Sequence, residues 1–167
     1  MNVVVVVGNP KLGSRTRQAA EHVVRRLTGS PPAECVELAA LGPALLSWGD
    51  PAVESAKQTV LAASLVVFAS PTFKATYTGL LKLFLDHFGA GEMDGKPAVA
   101  LMLGASERHA LAGELTLKPV LSEIGCSCPA PALFLLDTAW ETSAELDAWL
   151  ARAAAAHGLA AGGSPSS

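Results

Sequence analysis

Three short stretches of this chain hold residue types from which a ligand site could be built. The first is Gly8-Asn9-Pro10-Lys11-Leu12-Gly13-Ser14-Arg15-Thr16. It leads into a segment whose apolar residues recur at helical spacing. The start of a helix offers free N–H groups and the positive end of its dipole, which suits a phosphate. Ser14 and Thr16 add hydroxyl donors, and Arg15 adds charge. The stretch nearly matches the nucleoside-triphosphate loop Gly-x4-Gly-Lys-Ser/Thr. Yet Ser14 stands where the lysine belongs, and Arg15 where the magnesium-binding hydroxyl belongs. No acidic residue ends the third apolar run to hold a metal, so ATP hydrolysis is disfavoured. The stretch is not Gly-x-Gly-x-x-Gly either, which disfavours a Rossmann dinucleotide site. The plain alternative is a capped helix start with an unused turn.

The second stretch, Ser70-Pro71-Thr72-Phe73-Lys74-Ala75-Thr76-Tyr77-Thr78-Gly79, joins stiff backbone to aromatics and hydroxyls. A flat ring needs an apolar surface with a few convergent polar groups, and this loop carries both. The alternative for Phe73 and Tyr77 is core or interface packing. The third stretch is Gly104-Ala105-Ser106-Glu107-Arg108-His109. Its small residues let backbone approach a ligand closely. His109 either contacts ligand or caps the following helix, and a lone histidine is more often structural. No Ser-His-Asp order, paired carboxylates or His/Cys cluster stands out, and no metal site is expected. A fold presenting a cofactor, with the cofactor supplying the chemistry, is consistent with that.

The elements that must hold these loops follow from composition and pattern. The chain has 167 residues, half of them hydrophobic and 16% charged, which fits one well-buried domain. A net charge of −3 with no basic patch argues against nucleic acid as a partner. Cys35, Cys126 and Cys128 are odd in number and not spaced CxxC, so reduced thiols are expected rather than a disulfide or zinc site. Met1-Asn2 leads straight into Val3–Val7 with no basic leader, and that run is too short to span a membrane. A soluble, cytoplasmic protein is expected.

Val3–Val7 is apolar without alternation, as a central strand of a parallel sheet would be. Ser14 reads as the N-cap of a helix over Thr16–Leu27, which Gly29 and Pro31-Pro32 end. Glu34–Leu38 reads as a second strand, and Leu41–Trp48 as a connector of unassigned form. Asp50-Pro51 reads as N-cap and first residue of a helix to Ala63. Leu65–Ala69 is a third strand, and Tyr77–Phe88 a helix apolar on more than one face. Such a helix needs a second buried surface, either deep in the domain or against another copy. Pro97–Leu103 is a fourth strand, followed by a helix over His109–Ile124 that Pro119 should kink. Pro131–Leu136 and Ser143–Ala156 are the last strand and helix. Trp48, Trp140 and Trp149 read as packing or interface residues. Residues 1–157 are expected to form the domain and 158–167 a flexible tail.

Strand and helix thus alternate five times. That predicts an α/β, three-layer, flavodoxin-like sandwich with a five-stranded parallel sheet in the order 2-1-3-4-5. Ligands of such sheets bind beyond the carboxyl ends of the strands, and all three loops would meet there.

At these loops the sequence resembles the NAD(P)H-dependent FMN reductases of the flavodoxin-like superfamily. It resembles most the branch that supplies reduced flavin to two-component monooxygenases, including those of sulfonate use. The carrying segments are Gly8–Thr16, Ser70–Asp86 and Gly104–Leu121, and the resemblance runs from Val3 to Leu136. It implies that Ser14, Arg15 and Thr16 bind the FMN phosphate. Pro71, Thr72, Phe73 and Lys74 match the family's flavin loop, and Gly104, Ala105 and Ser106 its loop beside the isoalloxazine. Asn9 and Pro10, in the first turn, complete the candidate cofactor-binding set. Ala105 replaces the family's second glycine, Phe73 its commoner tyrosine, and Leu115 an aromatic of the sulfonate-linked members.

The resemblance further implies FMN as cofactor, NADPH or NADH as electron donor, a flavin-dependent monooxygenase as partner, and a homodimer or homotetramer. The implied reaction is hydride transfer from NAD(P)H to FMN with no catalytic side chain. The alternatives are an FMN-bound quinone or azo reductase, a flavodoxin-type electron carrier, and a non-catalytic binding module. A carrier would be strongly acidic and bear Ser/Thr-x-Thr-Gly-x-Thr, and this chain has neither feature.

Overall fold

The valine run sits at the centre of a five-stranded, wholly parallel sheet. The computed structural model describes residues 1–159. Its strands are β1 (Val3–Val7), β2 (Glu34–Glu37), β3 (Leu65–Pro71), β4 (Ala98–Gly104) and β5 (Leu133–Leu136). They lie in the order β2-β1-β3-β4-β5, as the alternation predicts. Val5 pairs Val67 across β1 and β3, and Val67 pairs Val99 across β3 and β4. The absence of alternation in β1 has the expected cause: both faces are covered. Val3, Val5 and Val7 face a layer containing Ala20, Val24, Trp149 and Ala153. Val4 and Val6 face the opposite layer, with Val53, Val60, Leu81 and Phe84.

The first layer is α1 (Arg15–Thr28) and α5 (Ala144–Ala156). The second is α2 (Pro51–Leu61), α3 (Gly79–Leu85) and α4 (Lys118–Glu123). The caps act as read. Ser14 Oγ accepts from Arg17 N, Asp50 from Ala52 N and Val53 N, and Gly29 closes α1 at φ 74°. Leu41–Trp48 holds a 3₁₀ segment, Gly42–Leu46.

Two expectations are corrected. The helix over Tyr77–Phe88 is only Gly79–Leu85, because the Thr78 hydroxyl accepts from Leu81 N and caps it there. The helix over His109–Ile124 is not one kinked rod. It is a 3₁₀ turn (Glu107–His109), a π-helical segment (Gly113–Leu117) and then α4. Pro119 lies in the first turn of α4, where a missing N–H costs least. The Lys118 N–H bonds to the Gly113 carbonyl, an i→i−5 pattern.

Of the tryptophans, Trp149 is core, with Nε1 donating to Pro131 O at 2.7 Å. Trp140 packs edge-on against His22, and Trp48 is 75% exposed over His87. No described helix is long and apolar enough to cross a membrane. Of the expected tail, 160–167 lie outside the described residues.

Candidate flavin site

The first loop is tied down from two sides. Asn9 Nδ2 donates to Thr16 Oγ1 at 2.9 Å, while Asn9 Oδ1 accepts from Lys11 N at 2.9 Å. From β2, Glu37 accepts from Gly13 N at 2.8 Å and pairs with Arg17 at 2.6 Å. Arg17 also bonds Glu21 at 2.8 Å, and these hydrogen bonds push its guanidinium up from the ordinary value. Ser14 and Thr16 are buried. Ser14, Arg15 and Thr16 precede any intrahelical acceptor, so their N–H groups stand at the head of α1 as orphan donors. That is an anion-binding end.

The second loop is joined to the first by Thr78. Its hydroxyl donates to Gly8 O at 2.5 Å, and its N–H donates to Ser70 Oγ at 3.0 Å. Gly8 is needed here, since a Cβ would lie 2.7 Å from Leu81 Cβ. Phe73 and Thr76 form a short antiparallel bridge, with Phe73 N donating to Thr76 O and Thr76 N to Phe73 O. The turn between them, Lys74-Ala75, has φ 51° and 66°. Neither residue is glycine, so the tip is strained. It carries Phe73, 51% exposed.

The second loop meets the end of β4, just before the third loop, backbone to backbone, through Thr72 N donating to Leu103 O at 2.6 Å. The Thr72 hydroxyl is buried with no partner. A Cβ on Gly104 would lie 3.3 Å from that hydroxyl and 2.8 Å from Phe134 Cζ. The bare backbone of Gly104 thus leaves a small cradle beside an unsatisfied polar atom.

One cavity of about 390 Å³ draws on all three loops. Asn9, Ser14, Arg15, Thr16, Pro71, Thr72, Phe73, Gly104 and Ala105 line it. Pro10, Lys74 and Ser106 do not. Lys74 sits in the strained turn, and Ser106 Oγ accepts from Arg108 N to head the 3₁₀ turn that holds His109. His109 does not line the cavity. Lys11, Gly13, Gln18, Leu103 and Asp137 do line it and were missed from sequence. Asp137 directly follows β5, so its place at a carboxyl strand end was the available signal. A larger cavity, about 530 Å³, lies outside Phe134 and Leu136 of β5. It takes nothing from the first or second loop, and the start of α5 that lines it, at Ser143, Ala144 and Glu145, carries Glu145 and Asp147 in its first turn and so repels an anion, which makes the smaller cavity the candidate site. Among the described residues no His, Cys, Asp and Glu cluster could hold a metal.

Comparison with known proteins agrees with this geometry. Residues 1–141 match the family described as NADPH-dependent FMN reductase. An FMN reductase (NADPH) of Escherichia coli K12 is 30% identical over 128 residues, which is 74% of this chain and 67% of that protein. The NADH-dependent FMN reductase SfnF of Pseudomonas fluorescens is 32% identical over 129 residues, 73% of this chain and 69% of that one. The apo crystal structure of an NADH:FMN oxidoreductase, EmoB, superposes with a TM-score of 0.78 at 28% identity, covering 96% of this chain and 90% of that one. With sequence match, sheet order and the three-loop cavity in agreement, the chain belongs to the NADPH-dependent FMN reductase family.

Proposed function

We infer that this chain is an NAD(P)H-dependent FMN reductase whose flavin sits in the cavity over the carboxyl ends of β1, β3 and β4. The observation that carries the reading is that one cavity joins the orphan N–H groups of α1 to the loops after β3 and β4. The residues fit the group. Ser14, Arg15 and Thr16 would hold its phosphate by main-chain donors, hydroxyls and one guanidinium. The buried Thr72 hydroxyl, partnerless in the protein, is satisfied by a polar ring edge. Gly104 and Ala105 leave room for a ring to lie against backbone, and Phe73 supplies an apolar flank.

When bound, FMN supplies the redox chemistry, accepting a hydride from NADPH or NADH. The protein's own residues orient and desolvate. Thr78 holds the first and second loops in register, and the strained Lys74-Ala75 turn presents Phe73 at a set height. No side chain of the cavity is required as a general acid or base.

Delivery of reduced flavin to a flavin-dependent monooxygenase belongs to the same proposal. The exposed Phe73 and Arg15 at the cavity mouth suit exchange of flavin with solvent. A homodimer or homotetramer is also proposed. Leu46 and Trp48 are 69% and 75% exposed, Trp48 packs on His87 just beyond α3, and Leu83 of α3 is exposed too, an apolar surface that a second copy would cover. A cytoplasmic location fits three free thiols.

The test is direct. Purified protein with FMN should oxidise NADPH or NADH, followed by loss of nucleotide absorbance, and should do so in proportion to added FMN. No FMN-dependent oxidation of either nucleotide refutes the reading.

A further inference from the structure

Arg15 is already engaged. Its Nη1 donates to the main-chain O of Asp137 at 3.2 Å, and its Nη2 lies 3.6 Å from Asp137 Oδ2. The pair joins the loop after β1 to the residue after β5. It stands between two open spaces: the site cavity and a second cavity of about 460 Å³, which Arg15, Gln18 and Asp137 also line. Arg15 therefore has room to turn to either side. Its side chain is 61% exposed and that of Asp137 29%, so the contact is a weak, breakable one. Among the described residues lining the site cavity, Asp137 alone is acidic.

We propose that Asp137 sets flavin affinity by competing with the FMN phosphate for Arg15. This rests on the FMN reading above and deepens it. A phosphate at the head of α1 attracts the Arg15 guanidinium. Asp137 draws the same guanidinium toward β5 and repels the phosphate directly. Both effects weaken FMN binding, and neither acts on riboflavin, which has no phosphate. Asp137 thereby keeps FMN exchangeable rather than resident, as a supplier of reduced flavin requires. It is a positioning residue whose larger effect passes through Arg15, with the direct repulsion as the smaller part.

The experiment titrates FMN and riboflavin separately into wild type, D137N, D137A, R15Q and the R15Q/D137N double variant, following flavin fluorescence. The Asp137 N–H bond to Gly104 O is main-chain and survives both substitutions. D137N and D137A should tighten FMN about fivefold at low ionic strength, the scale of one exposed ion pair. The gain should shrink toward none near about 1 M salt, where charges beyond about 3 Å are screened. Riboflavin affinity should stay within about twofold. In the R15Q background the effect of D137N on FMN should fall by about half or more, the mark of coupling between the two sites. Unchanged or weaker FMN binding in D137N overturns the proposal, as does an equal change for riboflavin, or full additivity with R15Q. Wild-type protein that binds neither flavin overturns the FMN reading itself. Wild type that binds FMN, with no shift in D137N, overturns only the role of Asp137.

Discussion

Thr78 is the residue that joins the first and second loops of the cavity, and Thr78→Val isolates its hydroxyl at nearly constant shape. That hydroxyl is 5% exposed as part of its residue, accepts from Leu81 N at 3.2 Å and donates to Gly8 O at 2.5 Å. Loss of the N-cap costs about 1 kcal/mol. Leaving the buried Gly8 carbonyl without this donor costs about 1–3 kcal/mol more. The two share one oxygen, so a total of about 2–4 kcal/mol is expected. For a chain of this length each kcal/mol moves Tm by about 2–4 °C, which places the drop at roughly 4–16 °C. Thr78→Ser keeps the hydroxyl and loses only a buried methyl, about 1 kcal/mol. Urea and thermal unfolding followed by circular dichroism measure both. FMN titration should show weaker binding in T78V than in T78S, because the loop after β1 no longer registers on the loop before α3. T78V within about 0.5 kcal/mol of wild type, or T78S as costly as T78V, refutes the reasoning.

Gly8→Ala places a Cβ 2.7 Å from Leu81 Cβ, a part of the side chain that cannot swing away, so unfolding should show about 1–3 kcal/mol of destabilisation. Replacing Lys74-Ala75 by Asn-Gly relieves two left-handed non-glycine residues. Thermal unfolding should show a gain of about 1 kcal/mol, while FMN titration shows weaker binding as Phe73 loses its fixed height. The Glu92 carboxyl is held below its ordinary value by the Gly89 N–H and by Lys57. Its folded value lies below the unfolded one, so its stabilisation is present at neutral pH and is lost as pH falls through the folded value. The stability gap between wild type and E92Q, measured by urea unfolding across pH, should accordingly close below about pH 4. Burial pushes the Cys35 and Cys126 thiols up to about 12 and Cys128 to about 11. At pH 8 at most about one thiol in a thousand is then thiolate, so mass spectrometry should find slow iodoacetamide labelling of native protein and fast labelling in urea.

Much of the fold was legible because its signals are local. An unbroken valine run, caps at Ser14 and Asp50, and the break at Gly8 each act within a few residues, whereas β3 runs on through the expected break at Ser70 to Pro71 and β4 through Gly104. The strand order followed from alternation, since parallel strands joined by helices admit few arrangements. The three loops that line the cavity were legible for the same reason, each being a contiguous stretch at a strand end. The form of the helix around Pro119 was not read, although its cause is local. A proline can be absorbed by a π segment and a new first turn rather than by a bend.

By itself, then, the sequence determined which segments become strands, where the helices begin, and that a phosphate-capable turn and a ring-capable turn exist. Only the tertiary structure decided what those turns touch. The Thr78 hydroxyl reaches Gly8 across 70 residues, and Arg15 reaches Asp137 across 122. Lys74 and Ser106, carried by the family pattern, fall outside the cavity, while Asp137 falls inside. Such contacts are set by the register of parallel strands and the packing of helices over them. Neither is encoded in a window of neighbouring residues, so the acidic partner of Arg15 emerges only once β5 is laid beside β4.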